Sequence, residues 1–233
     1  MTNAAMTAEP TNYRRSERTA LERRPQRGRY DKPAVHALLD ANVLCQIGYV
    51  AERQPLMLAT IYWRTGDRVF WHGSRQSRAL TAMAGAEVCF SVSRLDGLVL
   101  GRSAFRHSAN YRSVMAFGVA RPVEDEAGEL AALEAMIERL YPGRWAQVRG
   151  PSPAELAATT VLSLELDEVS AKSRSEPPID LEADLSLPVW AGVAPVKLEP
   201  GPLEPCPRLG PDIPAPEGMI DWRCMDASPA RRT

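Results

Sequence analysis

The stretch VFWHGSRQSR at residues 69–78 decides the fold, because it joins a strand to a helix through a tight polar turn. Residues 69–72 are predicted as a strand, residues 73–74 as a turn, and residues 74–84 as a helix. The first N–H groups of a helix lack partners inside it and carry partial positive charge. The start of this helix is therefore suited to an anion such as a phosphate group.

The polar side chains of the same stretch support this interpretation. Ser74 and Ser77 add hydroxyl donors, and Arg75 and Arg78 add positive charge and forked sets of N–H donors. The same spacing is equally typical of a serine helix cap followed by solvated arginines. On spacing alone, the two interpretations stay open.

The rest of the chain supplies more strands and few helices. Alternating or continuous apolar runs predict strands at 43–50, 56–63, 87–94, 111–122 and 160–166, with 98–100 extending or restarting the third of these. Asp31 is expected to cap a short helix, and Leu130, Leu133, Ile137 and Leu140 mark an amphipathic one. Short connections containing glycine favour a mainly β fold, an antiparallel barrel with peripheral helices, over a parallel sheet.

Composition divides the chain into three regions. We expect a flexible basic arm at 1–29, a folded domain at 30–196 and a mobile, proline-rich tail at 197–233. An arginine-rich arm also occurs in proteins that bind nucleic acid, but no motif for reading bases accompanies this one. Binding to nucleic acid is therefore not expected.

Net charge and cysteine spacing limit the binding partners and the cellular compartment that we expect. The net charge is −1, which gives no general attraction to nucleic acid or to an anionic membrane. The cysteines, Cys45, Cys89, Cys206 and Cys224, form neither a zinc-binding spacing nor a disulfide framework. We expect no metal site, no membrane span and a cytoplasmic location, since the chain has no signal sequence and no long apolar run.

The residues at 69–78 resemble the phosphate-binding turn of the FMN-binding split barrel in the pyridoxamine 5′-phosphate oxidase superfamily. Ser77-Arg78 matches the Ser-Arg pair that grips the FMN phosphate there, and the Trp-His-Gly strand ending is similar to the nitroimidazole-resistance (Nim) branch. More motifs match that branch in order between about residues 13 and 195: RYD (29–31), DGLVL (96–100), RSAF (102–105), HSANYRSV (107–114), PGRW (142–145), TTV (159–161), AKSR (171–174) and PVWAG (188–192).

This resemblance implies a six-stranded antiparallel split β-barrel of the FMN-binding type. It also implies a homodimer whose subunits share each flavin site. In true pyridoxamine phosphate oxidases, a late motif rich in arginine and histidine holds the substrate phosphate. The matching residues here, 188–195, read PVWAGVAP and contain no arginine, so vitamin B6 oxidase activity is not expected.

The resemblance assigns one group of site residues to the hairpin. Gly73, Ser74, Ser77 and Arg78 would hold the FMN phosphate. Thr60 and Tyr62, on the neighbouring strand, would face the flavin ring, although Tyr62 also fits a role as a wall aromatic of the barrel. His72 would lie near the flavin as a catalytic proton donor, because its ordinary pKa lies close to neutrality. A histidine that only hydrogen-bonds within the site is the alternative.

A second group would come from the partner subunit. By the same resemblance, Asn110 and Arg112 approach the partner's flavin, and Lys172, Arg174 and Trp190 cover its pocket. A cation and an indole are suited to contact phosphate and to cover a ring. The alternatives are a hydrogen-bonded turn for the first pair and a basic turn with a packing tryptophan for the rest.

The function that this implies is FMN-dependent reduction of small nitro or quinone-like acceptors. A carrier or sensor that binds flavin or haem without turnover is the alternative, and a deazaflavin is a further possible cofactor. The chain contains no G-x-G-x-x-G unit for a separate nicotinamide dinucleotide. A nicotinamide donor would therefore have to react in the flavin pocket itself.

Overall fold

A computed structural model describes residues 11–199, 201–210 and 212–216. Within these ranges the strands are β1 (Gly28–Arg29), β2 (Leu44–Ala51), β3 (Gln54–Thr65), β4 (Arg68–Ser74), β5 (Glu87–Leu100), β6 (Ser108–Val119), β7 (Arg121–Pro122), β8 (Thr159–Glu165), β9 (Glu168–Arg174) and β10 (Gly192–Pro195). The helices are α1 (Lys32–Asp40), α2 (Arg78–Met83), α3 (Glu126–Leu140) and α4 (Pro153–Ala157). No helix in the described ranges is long and apolar enough to cross a membrane.

All pairings are antiparallel, and the sheet follows the order β1-β9-β6-β5-β2-β3-β4-β8-β7, with β10 added to β5. The two ends of this order do not pair, so the barrel is split, and the predicted fold class is confirmed. The strand count exceeds the expected six, because short segments such as β1, β7 and β10 pair at the edges. The segment 98–100 belongs to β5, which continues past a register shift between Leu95 and Gly97.

The inner face of the sheet holds the main core. Cys45, Ile47, Tyr62, Trp71 and Phe90 are each 2% exposed or less. Helix α1 closes one side with Val35 and Leu39, and its first turn is capped by the Asp31 carboxylate, which accepts from Ala34 N. This confirms the cap that the sequence predicts.

The outer face divides into a covered half and an open half. Helix α3 covers the β4–β8 half, where Trp63, Val161 and Ala132 form a second buried cluster. The β2–β3 half is open and apolar, with Leu44 57%, Val50 62%, Met57 71% and Ile61 40% exposed. Leu44 pairs with Ile61, and side chains alternate along a strand, so these residues share one face. We call them the open apolar face.

The segment at 11–29 differs from the predicted flexible arm, because it packs against the barrel. Tyr13 is 5% exposed, and its hydroxyl donates to Asp67 Oδ1 at 2.8 Å. Arg14 and Arg18 both bind the Glu168 carboxylate at the start of β9. These contacts lie more than 50 residues apart in sequence, so arginine content alone does not reveal them. They also use two of the arginines that would otherwise serve a nucleic-acid arm. Residues 1–10 lie outside the described ranges.

The described part of the tail, 201–210 and 212–216, contains no helix or strand, in line with its proline content. The last part of the predicted tail, 217–233, lies outside the described residues.

Candidate functional site

The turn after β4 differs in detail from the prediction. Strand β4 continues to Ser74, and the helix begins only at Arg78, so α2 has six residues instead of the expected eleven. Ser77 caps it by accepting from Leu80 N, and Ser74 Oγ accepts from Gln76 N. A helix this short contributes little dipole, so the anion-binding capacity of the turn depends on its side chains.

The two arginines of the turn have different environments. The Arg75 guanidinium donates to the Thr159 carbonyl at 3.1 Å, which ties it to the start of β8. Arg78 is exposed, and its side chain has no partner among the described residues. Both serine hydroxyls keep their own proton to donate. Arg78, Ser74 and Ser77 are therefore the groups of this turn that can bind a phosphate.

Gly73 has a packing role. A Cβ at this position would lie 3.2 Å from Leu80 Cδ2, so the glycine lets α2 pack closely against β4. The close packing of α2 against β4 fixes the position of the turn between them.

His72 lies on the outer face of β4. Trp63 pairs with Phe70, so by strand alternation His72 shares a face with Trp63 and with the exposed Ile61. Its ring centroid is 5.9 Å from that of Trp63. The imidazole thus lies where the α3-covered cluster meets the open apolar face. Burial lowers the pKa of His72 below its ordinary value, and its Nδ1 is buried without a hydrogen-bond partner in the described structure.

The two residues predicted on β3 are turned towards the barrel interior. Tyr62 is 2% exposed, and its hydroxyl donates to the Leu39 carbonyl at 2.5 Å. This enclosure fits the alternative role of Tyr62 as a wall aromatic of the barrel, and a flavin contact of its side chain stays a prediction. Thr60 pairs with the buried Cys45 and is half-buried, and its carbonyl accepts from the Cys45 thiol.

The second predicted group gathers around the start of β6 and the end of β9. Asn110 accepts from the Arg174 guanidinium, which also donates to the carbonyls of Glu176 and Pro177. Arg112 is 6% exposed, and its guanidinium makes a forked pair with the Asp96 carboxylate at 2.7 and 2.9 Å. Arg112 is therefore engaged in a nearly buried ion pair, and its approach to the partner's flavin stays a prediction. Lys172 remains half-buried beside Arg174, and Trp190 is 67% exposed.

Within one protomer the two groups lie apart. From β4 through β3, β2, β5 and β6 to β9, each strand runs opposite to the one before. The end of β4, with Ser74, therefore lies at the opposite end of the sheet from the end of β9, with Arg174. The resemblance implies that a second subunit brings the two groups to one ligand.

A cavity that the sequence did not indicate lies beside the second group. Its volume is about 410 Å³, and its cationic lining consists of Arg23, Arg24, Arg27, Arg106, Lys172 and Arg174. Four of these arginines lie outside the motifs interpreted as a flavin site. The density of arginines at 23–29 is the sequence signal for this cavity, but composition alone predicts a flexible arm there.

Comparisons with other proteins agree with this architecture. The family model described as pyridoxamine 5′-phosphate oxidase matches residues 31–173. The flavocytochrome Anf3 from Azotobacter vinelandii is 42% identical, with a TM-score of 0.83, over 87% of this chain and 94% of that one. An FAD and haem binding protein from Mycobacterium smegmatis is 34% identical, with a TM-score of 0.79, over 82% of this chain and 94% of that one.

A more distant structure shares the fold. A candidate 5-nitroimidazole antibiotic resistance protein from Bacteroides thetaiotaomicron is 17% identical, with a TM-score of 0.51, over 62% of this chain and 85% of that one. A search among curated proteins found no match. The family match covers more than half of the chain, and the split sheet agrees with it. The chain belongs to the pyridoxamine 5′-phosphate oxidase family and has its FMN-binding type of split-barrel fold.

Proposed function

We propose that the chain is a cytoplasmic, FMN-dependent oxidoreductase that works as a homodimer and reduces small nitro or quinone-like acceptors. One observation carries the proposal. The exposed, unpartnered Arg78 and two serine hydroxyls stand at the end of the strand that places His72 beside the open apolar face. A flavin mononucleotide has the matching parts, a phosphate and a largely apolar ring system.

Each part of this site has a separate role. When bound, the flavin supplies the electron transfer, and the protein supplies binding, orientation and protection from water. Arg78, Ser74 and Ser77 bind the phosphate through charge-assisted and hydroxyl hydrogen bonds. The open apolar face excludes water from the ring once a second subunit covers it, and His72 donates a proton to the acceptor.

The open apolar face supports the homodimer. Four large apolar side chains exposed together on two strands are unusual on a free monomer surface. Light scattering is expected to report about twice the chain mass of 25.6 kDa. Met57→Glu, which places a charge at the centre of this face, is expected to give a monomer and to weaken FMN binding. A wild-type monomer that binds FMN tightly would contradict the shared site.

The phosphate anchor is tested by Arg78→Ala. Loss of one charge-assisted hydrogen bond, worth about 1.5–3 kcal/mol, is expected to reduce FMN affinity about tenfold to hundredfold. Riboflavin, which lacks the phosphate, should bind the variant and the wild type equally. Arg75→Ala is the matched control, because the Arg75 guanidinium is already bonded to Thr159, and it should change FMN affinity little. Fluorescence titration measures the FMN and riboflavin affinities of the wild type and of both variants. If Arg78→Ala lowers the two affinities equally, Arg78 does not contact the phosphate.

Haem is a second candidate cofactor, because two relatives above 30% identity are described as a flavocytochrome and as an FAD and haem binding protein. His107 is the histidine that would hold the haem iron. His107 is exposed, and its Nδ1 lies 3.0 Å from the Ser103 carbonyl, an arrangement that fixes the ring and leaves Nε2 for a metal. His36, by contrast, is held through Nε2 by Tyr13 and Asp67. Haem would give the chain a one-electron centre beside the flavin chemistry.

A further inference from the structure

The cationic cavity has a built-in excess of positive charge. Six cationic side chains line its volume of about 410 Å³, and no acidic side chain of the described residues does. The nearby carboxylates are already engaged, Glu176 by Arg27 and Arg174, and Asp180 by Arg102. Confined like charges repel one another, so this arrangement is stabilised by a bound anion.

Several of these cations are available to a ligand. The side chains of Arg23, Arg24 and Lys172 make no hydrogen bond or ion pair with any residue that the structure describes. The Nε atom of Arg27 is buried and has no partner there. Burial lowers the pKa of Arg174, and the neighbouring Arg27 charge lowers it further against the opposing charge of Glu176.

The cavity is held in place by the fold. The turn at Pro25–Arg27 precedes β1, which pairs with Lys172 in β9. On the other wall, a Cβ at Gly101 would lie 2.9 Å from the Arg106 carbonyl carbon, so only glycine lets the Arg106 segment approach. Cations from three separate segments thus converge on one space.

The rim offers an apolar surface. Phe105 is 89% exposed and Ile179 is 51% exposed, and both line the cavity. The ligand should therefore combine a strongly anionic end with an aromatic or apolar body. Six cations also exceed what a single phosphate can contact, so two adjacent anionic groups fit better.

We propose that this cavity, the arginine pocket, binds two adjacent anionic groups of one ligand, either a dinucleotide diphosphate or the paired carboxylates of haem. It lies at the opposite end of the sheet from Ser74, so within a protomer it is a second anion site in addition to the FMN phosphate turn. The choice between the two ligand sources rests on the proposed function. The anion site itself does not.

The first experiment uses inorganic pyrophosphate and calorimetric titration of the full chain. Wild type is expected to bind pyrophosphate more tightly than inorganic phosphate. Arg23→Gln and Arg106→Gln should each weaken pyrophosphate binding about tenfold. Arg121→Gln removes the same charge at an exposed position outside the cavity and should have no effect. The proposal is overturned if wild type shows no preference for pyrophosphate, or if both pocket variants bind it as wild type does.

A second set of titrations distinguishes the ligand sources. If the source is a dinucleotide, Arg106→Gln lowers FAD affinity and leaves FMN affinity unchanged. If the source is haem, the same variant lowers haem affinity, read from the visible spectrum, and leaves the FAD to FMN ratio unchanged. If the wild type binds FMN but does not bind pyrophosphate, the arginine pocket is refuted and the proposed function stands. If the wild type binds pyrophosphate but does not bind FMN, the proposed function is refuted and the arginine pocket stands.

Discussion

Replacing His72 by alanine is expected to slow reoxidation of the reduced flavoprotein by a nitroaromatic acceptor about 10²–10⁴-fold, the usual contribution of a general acid. FMN should stay bound, because Arg78, Ser74 and Ser77 are untouched. Burial lowers the pKa of His72 below that of a free imidazole, so the protonated donor is scarce at pH 7 and accumulates only as the pH falls through this lowered pKa. The wild-type rate should therefore rise towards acid pH.

Stopped-flow mixing of chemically reduced protein with the acceptor, repeated across pH, measures this effect. His72→Gln keeps a hydrogen-bonding side chain but loses the titrating proton, so it should be nearly as slow as alanine and should show a flat pH profile. Wild-type rates in both variants would make His72 a structural residue packed against Trp63. A wild type that reacts no faster than free reduced FMN would favour a carrier or sensor.

Replacing Asp96 by alanine is expected to lower the free energy of unfolding by about 3–5 kcal/mol, because it leaves the buried Arg112 guanidinium without its forked carboxylate partner. Glu165→Ala is the matched control. Its ion pair with Arg68 is about half exposed on both sides, so its loss should cost less than about 1 kcal/mol. Urea unfolding measures both. A loss at Asp96 no larger than that of the control would contradict a stabilising role for the buried pair of Asp96 and Arg112.

The sequence predicted those parts of the fold that depend on local patterns. Strand alternation identified β2, β3 and β8 to within a few residues, and Asp31 was identified as a helix cap from its residue type alone. The turn at 73–78 was recognised because a strand, a glycine and two serines follow one another directly. Its helix was placed too early, since Ser74 and Ser77 are both good caps and only the pairing of Ser74 with Thr159 selects the second.

The contacts that the sequence does not predict come from long-range pairing. The enclosure of Tyr62 in the core depends on the register of β3 with β4, which the sequence of β3 alone does not set. Arg112 finds Asp96 across a hairpin, and Arg14 and Arg18 find Glu168 about 150 residues away, which no local pattern encodes. The arginine pocket was missed for the same reason, because three distant segments build it.

FMN binding is tested most directly by the cofactor that the full chain carries when it is purified without additions. We expect a yellow protein that releases FMN on denaturation, identified by mass and by the visible spectrum, with haem bands in addition if the second cofactor is present. The apoprotein should then take up FMN again. A colourless protein whose spectrum and fluorescence are unchanged by FMN titration would show that the chain does not bind FMN.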